Sequence, residues 1–166
     1  ELAERTGRRY SLVEYHGAPD ADRVVVVLGS GWGTTVEAVD ELNRRGEKVG
    51  AVTLRLYRPF PVADLVAALP ASVRRIAVLD RTKEPGASAE PLHSDVLVAL
   101  AENAGHFDGG LPLVIGGRFG LGSKDYTPAM AAAVYTELAT ESPRPRFTVG
   151  ITDDVTGLSL PVDASF

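Results

Sequence analysis

A glycine-rich turn that directly follows a strongly apolar run is the first feature that could do chemistry. Residues 29–34 read Gly-Ser-Gly-Trp-Gly-Thr and follow the apolar run 24–28. Free backbone N–H groups and the helix dipole at a strand-to-helix turn favour an anion near Gly31. The dinucleotide-binding fingerprint is incomplete, because Thr34 replaces its third glycine and the second apolar run, 49–54, is followed by no acidic residue for a ribose hydroxyl. The turn therefore favours an anion over a nicotinamide cofactor, while a tight turn that simply requires small residues is the alternative interpretation.

Cationic side chains follow two other apolar runs. Arg58 comes after the second run, and Arg81 and Lys83 come after the third. The planar guanidinium group suits phosphate, and parallel strands bring their carboxyl ends to one edge of a sheet. Gly31, Arg58, Arg81 and Lys83 are therefore the predicted binding residues for coenzyme A or another phosphate-bearing anion. In the alternative interpretation, these cations pair with carboxylates of their own loops.

Catalytic and metal-binding patterns are missing from the sequence. The chain has no cysteine, which excludes disulfides, a thiolate nucleophile and an iron–sulfur cluster held by this chain. His16, His93 and His106 lack the spacing of metal-binding histidines. Asp153 and Asp154 are adjacent, and neighbours on an extended segment point to opposite faces. We therefore expect no catalytic residue, no metal site and no cofactor within this chain.

The charge and hydropathy of the chain exclude other classes of partner. It carries 17 Lys and Arg against 22 Asp and Glu, a net charge of −5. This balance argues against a nucleic acid or an anionic membrane as partner. No apolar run reaches the roughly 18–20 residues of a membrane-spanning helix, and the start at Glu1 lacks both Met and a signal-peptide core. We expect a cytoplasmic location and a chain cut from a longer polypeptide.

The elements that must position these residues alternate between strand and helix. Apolar, β-branched runs without alternation are typical of strands covered on both faces. Five such strands are predicted, at residues 24–28, 49–54, 76–80, 113–115 and 146–152. Helices between them imply right-handed crossovers. The predicted fold class is an α/β, three-layer αβα sandwich with a mostly parallel five-stranded sheet.

Helix ends and domain limits are also predicted. Thr34 or Thr35 is expected to cap the first crossover helix, Gly46 to end it, and Pro128 to open the last helix after Thr127. Residues 1–22 are interpreted as a lead-in whose Tyr10, Leu12, Val13 and Tyr15 could form a short edge segment. Residues 23–152 are the single α/β domain, and 153–166 are a tail leading to a next domain.

Several long sequence motifs resemble those of a known family. Residues 24–31, 46–50 and 54–60 resemble the transketolase C-terminal-like domain of thiamine-diphosphate enzymes. Other, more specific motifs resemble domain II of the pyruvate:ferredoxin (flavodoxin) oxidoreductases. These are VLDRTKEPG at 78–86, GGRFGLGSK at 116–124, YTPAM at 126–130 and FTVGITDDVT at 147–156. The resemblance covers nearly the whole chain from about Tyr10.

The resemblance implies a large parent enzyme. Such an enzyme oxidatively decarboxylates pyruvate with coenzyme A to acetyl-CoA and CO2, and passes the electrons to ferredoxin or flavodoxin. Its thiamine diphosphate, Mg2+ and [4Fe-4S] clusters lie in other domains, and the parent is a homodimer. This chain would then be a non-catalytic, structural domain whose partners are the other domains of the same polypeptide, and it would be inactive alone.

Two further interpretations stay open beside the structural domain. One is a module that binds coenzyme A or another phosphate-bearing anion at the strand carboxyl edge. The other is a free-standing NAD-dependent dehydrogenase of the Rossmann type. We also expect Trp32, Tyr57 and Phe60 to lie on an apolar patch through which the free chain pairs.

Overall fold

A six-stranded sheet organises the molecule. The computed structural model describes residues 2–7 and 10–166. The strands are β1 (Val13–Gly17), β2 (Arg23–Leu28), β3 (Val49–Leu54), β4 (Arg75–Asp80), β5 (Leu113–Arg118) and β6 (Arg146–Thr148). They lie in the order β1-β3-β2-β4-β5-β6. Only β1 is antiparallel to its neighbour, so the mostly parallel sheet is confirmed.

The sheet has one strand more than the five predicted. The additional strand, β1, is part of the suspected edge segment and pairs with β3 from Val13 opposite Leu54 to Gly17 opposite Gly50. The last strand, β6, is shorter than predicted, because the backbone turns at Gly150, whose φ is 77°. The domain limits at residues 22 and 152 stay predictions.

Both faces of the sheet are covered, as the continuous apolar runs predict. Along β2, Val24 and Val26 pack into one hydrophobic core, whereas Val25 and Val27 pack into another. All four side chains are fully buried. We call the two sides of the sheet the Val24 face and the Val25 face.

The helices divide between these two faces. Helix α2 (Gly31–Arg44) and helix α5 (Pro128–Ala139) cover the Val25 face, while α3 (Val62–Ala68) and α4 (Pro91–Glu102) cover the Val24 face. A short helix, α1, spans Leu2–Thr6. This arrangement is the predicted three-layer αβα sandwich. Among the described residues, no helix has both the length and the apolar character needed to span a membrane.

The last crossover differs in hand from the first three. The connection from β2 to β3 runs through α2 on the Val25 face. The connections from β3 to β4 and from β4 to β5 run in the opposite direction across the sheet, and their helices lie on the opposite, Val24 face. Because direction and face both change, these three crossovers have the same hand. Helix α5 leads from β5 to β6 in that second direction, yet it lies on the Val25 face. The four crossovers therefore do not all share one hand, so the prediction that every crossover is right-handed is wrong.

The predicted helix ends are partly confirmed. Helix α2 begins at Gly31, ahead of the predicted caps Thr34 and Thr35, and the Thr35 hydroxyl instead donates to the Gly31 carbonyl oxygen at 2.8 Å. Gly46 ends the helix with φ 92°. Pro128 opens α5, and the Thr127 hydroxyl oxygen accepts the N–H of Met130 at 3.3 Å.

Candidate functional site

The carboxyl ends of β2 and β4 form the place where this fold offers a site. The chain leaves β2 toward β3 and later crosses to β4 on the other side of β2. Loops that diverge in this way leave a crevice in which α/β proteins bind ligands. A cleft of about 220 Å³ opens there, next to the start of α2. Its lining comprises Ser30, Gly31, Thr34, Arg81, Phe119, Gly120, Ser123, Lys124, Asp125 and Tyr126.

Asp80, the last residue of β4, holds this edge together. Its side-chain oxygens accept the backbone N–H groups of Leu92 at 3.0 Å and His93 at 3.1 Å, in the first turn of α4. Its backbone carbonyl oxygen accepts the N–H of Phe119 at 3.1 Å. The cap residue of α4, Glu90, makes no capping bond with its own side chain. Asp80 therefore caps a helix that starts eleven residues later and also fixes the turn after β5.

Burial dominates the electrostatics of Asp80. It raises the pKa of the carboxyl group above its ordinary value, although the two backbone N–H bonds act in the opposite direction. Glu90 and Asp95 add to the rise because like charges disfavour ionisation. The carboxylate thus loses solvation on burial, and its oxygens accept hydrogen bonds from the backbone of α4.

Arg81 lies at the centre of the cleft wall. One guanidinium N–H donates to the Ser30 hydroxyl oxygen at 3.2 Å, and Nε donates to the Gly120 carbonyl oxygen at 3.5 Å. Gly120 has φ 62°, and a Cβ added there would lie 2.7 Å from Arg81 Nε. Only glycine combines that backbone with room for the guanidinium. Arg81 therefore links the ends of β2, β4 and β5.

Close packing against Gly31 shapes the other wall of the cleft. A Cβ added to Gly31 would lie 2.8 Å from Val27 Cγ2 and 3.0 Å from Phe119 Cζ. The ring of Phe119 lies 4.7 Å from that of Tyr126. The Tyr126 hydroxyl is 3.2 Å from the Thr35 hydroxyl, and burial raises the pKa of Tyr126 well above its ordinary value. The start of α2 is thus locked to the turn after β5.

The structure brings two of the four predicted binding residues into this cleft. Gly31 and Arg81 line it. Arg58 lies elsewhere, because its guanidinium pairs with Asp95 of α4 at 2.7 Å and stacks 4.0 Å from the centre of the Tyr57 ring. Lys83 lies on the exposed loop after β4. Their role in binding stays a prediction.

Lys124 is a cation of the cleft that the sequence reasoning missed. It lines the cleft with Arg81, and its ammonium group lies 3.6 Å from Asp153 Oδ1. Lys124 follows the glycine-rich turn after the fourth predicted strand, just as Arg81 follows the third. Applying one rule to every strand end would have included it.

Two other carboxylates near this edge bind neighbouring groups of the domain. Buried Glu90 pairs with Arg118 at 2.6 Å. Asp154 accepts the Ser159 N–H at 2.6 Å and a hydroxyl from Thr156, which lowers the pKa of Asp154. Its neighbour Asp153 instead lies 3.6 Å from the Lys124 ammonium group.

The three histidines occupy three separate places. His16 contacts Asp40 at 2.6 Å, and the His106 ring lies 2.8 Å from the Leu69 carbonyl oxygen. His93 is buried in α4 beside Gly116, and burial lowers its pKa, with Arg146 acting in the same direction. In the part of the chain that the structure describes, no three His, Asp or Glu side chains are grouped to hold a metal. The chemistry that this edge offers is the binding of an anion or the anchoring of neighbouring segments.

Comparisons with known proteins agree on one family. A model of the family described as "Pyruvate:ferredoxin oxidoreductase core domain II" matches residues 21–128. The chain is 58% identical over 171 residues to a pyruvate-flavodoxin oxidoreductase of Rhodospirillum rubrum, covering 99% of this chain and 14% of that protein. It is 57% identical over 164 residues to a probable pyruvate-flavodoxin oxidoreductase of Escherichia coli, covering 98% of this chain and 14% of that protein. The chain thus spans about one-seventh of the length of these relatives.

A solved structure supports the fold. It is a 2-oxoglutarate:ferredoxin oxidoreductase from Magnetococcus marinus, with 2-oxoglutarate, coenzyme A and succinyl-CoA bound. The match has a TM-score of 0.51 at 23% identity and covers 79% of this chain and 20% of that one. It confirms the predicted fold class.

Replacing Asp80 by Asn tests its role as a cap. We expect Asp80→Asn to lower the free energy of unfolding by about 1–3 kcal/mol, because one of the two buried N–H groups of α4 loses its acceptor and meets an amide NH2. Urea denaturation followed by circular dichroism measures this. The control is Asp108→Asn, at an exposed aspartate. Equal stability of the two variants would contradict the assignment.

Gly31 and Gly33 form a matched pair two residues apart in the first turn of α2. Gly31→Ala should destabilise the chain by about 1–3 kcal/mol, since Val27 and Phe119 must shift. A Cβ on Gly33 meets no atom within 4 Å, so Gly33→Ala should stabilise it by about 0.5–1 kcal/mol through helix propensity. Thermal unfolding of both variants measures the difference. Stabilisation by both variants would show that the packing around Gly31 can relax freely, and destabilisation by Gly33→Ala would contradict the prediction for that position.

Proposed function

This chain belongs to the pyruvate:ferredoxin oxidoreductase core domain II family, and on that premise we propose that it is an organising domain of a larger oxidoreductase. In this role the domain positions its neighbours, and the reacting groups come from other parts of the polypeptide. The family assignment also removes the reason to interpret the chain as a free-standing NAD-dependent dehydrogenase.

The observation that carries the proposal is the engagement of charged groups at the carboxyl edge. Asp80 binds the backbone of α4, Arg81 binds Ser30 and Gly120, and Arg58 pairs with Asp95. A general acid or base must be free to reach a proton of the substrate. Groups committed to neighbouring elements serve rigidity instead, which suits a domain around which others are arranged.

The reaction that we propose for the parent follows the names of the relatives. Pyruvate and coenzyme A give acetyl-CoA, CO2, two electrons and one proton, and ferredoxin or flavodoxin accepts the electrons. We propose that thiamine diphosphate, Mg2+ and the [4Fe-4S] clusters are held by other domains. Among the described residues, no three His, Asp or Glu side chains are grouped to hold a metal, and the sequence contains no cysteine for a cluster.

The assembly of the parent is part of the same proposal. Residues 23–152 form the body of the α/β domain, residues 1–22 lead into it and contribute its edge strand β1 (Val13–Gly17), and residues 153–166 lead to the next domain. The partners are the other domains of the polypeptide, in a cytoplasmic homodimer.

Activity measurements test the proposal. The purified 166-residue chain, supplied with pyruvate, coenzyme A, thiamine diphosphate and Mg2+, should not reduce methyl viologen above the rate without protein. The full-length polypeptide, purified without oxygen, should reduce it and should depend on both pyruvate and coenzyme A. Turnover by the chain alone would contradict the organising role.

A second candidate function is the binding of a phosphate-bearing anion such as coenzyme A. The observation in its favour is that Gly31, Arg81 and Lys124 line one cleft at the switch point of the sheet. In this proposal Arg81 and Lys124 supply the charge, and the α2 start supplies backbone N–H groups. Arg58 and Lys83 are the outer members of the predicted set.

Calorimetric titration with coenzyme A at low salt tests this candidate. We expect heat at millimolar ligand and at least about tenfold weaker binding by Arg81→Gln, because a charge-assisted hydrogen bond contributes roughly 1.5–3 kcal/mol. Arg58→Gln is the comparison variant, and a similar loss would place Arg58 in the site. No heat from the wild-type chain, or equal heat from Arg81→Gln, would contradict it.

A further inference from the structure

An exposed apolar surface surrounds the carboxyl end of β3 and the start of β1. We call it the aromatic patch. It comprises Tyr10, Leu12, Trp32, Leu56, Tyr57 and Phe60. Tyr10 is 55% exposed, Leu12 43% and Leu56 37%, while Trp32, Tyr57 and Phe60 are half-buried. Apolar patches of this kind on a folded domain mark contact surfaces.

Arg55 joins the parts of this surface. Its backbone N–H donates to the Leu12 carbonyl oxygen at 2.8 Å, and its guanidinium lies 5.2 Å from the centre of the Tyr10 ring. The rings of Tyr57 and Phe60 meet edge to face at 6.1 Å. The aromatic patch is therefore an ordered surface rather than a set of scattered side chains.

A concave socket lies within the aromatic patch. This cleft of about 390 Å³ is lined by Leu28, Gly29, Trp32, Thr53, Leu54, Arg55 and Tyr57. The ring of Tyr57 is fixed by a hydrogen bond from its hydroxyl to Asp95 at 2.7 Å. Rigid aromatic walls around a pocket are typical of the centres of interfaces, where an apolar side chain of the partner inserts.

The charges at the rim of the aromatic patch are already paired within the domain. Arg55 pairs with Glu14, and Arg58 pairs with Asp95 at 2.7 Å. A partner therefore needs no carboxylates to cover these arginines. The surface fits an apolar, largely uncharged partner.

We propose that the aromatic patch is the docking surface for another domain of the same polypeptide, which inserts an apolar side chain between Trp32 and Tyr57. The inference rests on the proposed function and names the surface through which it acts. The chain covers only 14% of relatives to which it is 55–58% identical, so most of such a polypeptide lies outside this domain. Domain interfaces within a chain bury about 600–1,500 Å², and contacts of that kind require exposed apolar side chains such as those of the aromatic patch.

The outer side of α4 provides an internal comparison. Leu97 is 38% exposed and Val98 is 56% exposed, so both are as accessible as the residues of the aromatic patch. They are aliphatic neighbours on one helix, and neither lines the socket. Their environment should not change when the rest of the polypeptide is present.

Hydroxyl-radical footprinting with mass spectrometry tests the proposal on the 166-residue chain and on the full-length polypeptide. Oxidation of Trp32 and Tyr57 should be about fivefold slower or more in the full-length protein, because interface cores exclude water. Oxidation of Leu97 should be the same in both. Equal oxidation of Trp32 and Tyr57 in the two molecules, or protection of Leu97 in their place, overturns the inference. The activity assay of the full-length protein is independent of this result, so the proposed function would still stand.

A matched pair of variants provides the second measurement. Leu56→Lys should lower the melting temperature of the full-length protein by several degrees more than that of the isolated chain, because a buried, unpaired ammonium group is costly. Val98→Lys should shift both proteins equally. Equal shifts with Leu56→Lys overturn the proposal. A second result would also overturn the proposal: the isolated chain forms a dimer that Leu56→Lys abolishes, while the full-length protein shows no protection of the aromatic patch. A second copy of the chain would then be the occupant of the patch.

Discussion

One buried carboxylate, that of Asp80, joins the carboxyl end of β4 to the start of α4 and to the turn after β5. A charged group in such a place costs solvation, and that cost is offset only when its oxygens accept good hydrogen bonds. The N–H groups of Leu92 and His93 supply those bonds, and the backbone of the same residue holds Phe119. The exposed loop after β4 is therefore closed at both ends. Arg81 follows Asp80 directly in the chain, so the bonds of Asp80 also fix the position of the Arg81 backbone.

The two covered faces of the sheet restrict where this domain can act. Helix α5 covers the Val25 face only because its crossover has the opposite hand, and its Tyr135 hydroxyl reaches across to the Gly50 carbonyl oxygen of β3 at 2.8 Å. With both faces closed, surfaces for ligands or neighbours remain at the strand ends and on the outer sides of the helices. The cationic cleft and the aromatic patch both lie at the carboxyl ends, on either side of the turn after β2.

Internal pairing of charge and external exposure of apolar groups point to the same role. Arginines near the strand ends bind carboxylates or backbone oxygens of the domain itself, as Arg118 does with Glu90. Aromatic side chains, by contrast, stand partly open to solvent. This distribution agrees with the proposal that the domain contacts other parts of a longer polypeptide, since the chain covers only 14% of the length of relatives such as the one from Rhodospirillum rubrum.

The sequence alone determined the layered fold and the places of five of the six strands, because unbroken β-branched runs can be satisfied only by burial on both faces. Its long motifs, such as those at 78–86 and 116–124, determined the family. It also placed Gly31 and Arg81 at strand ends that the fold brings into one cleft. Tertiary structure alone decided which cations share that cleft, since Arg58 is drawn to Asp95 and Lys124 approaches over a turn whose path no local pattern specifies. It likewise decided the hand of the last crossover and the capping role of Asp80. These features depend on contacts between residues far apart in the chain, such as Asp80 with Leu92 and Tyr135 with Gly50, and hydrophobic periodicity carries information only about near neighbours.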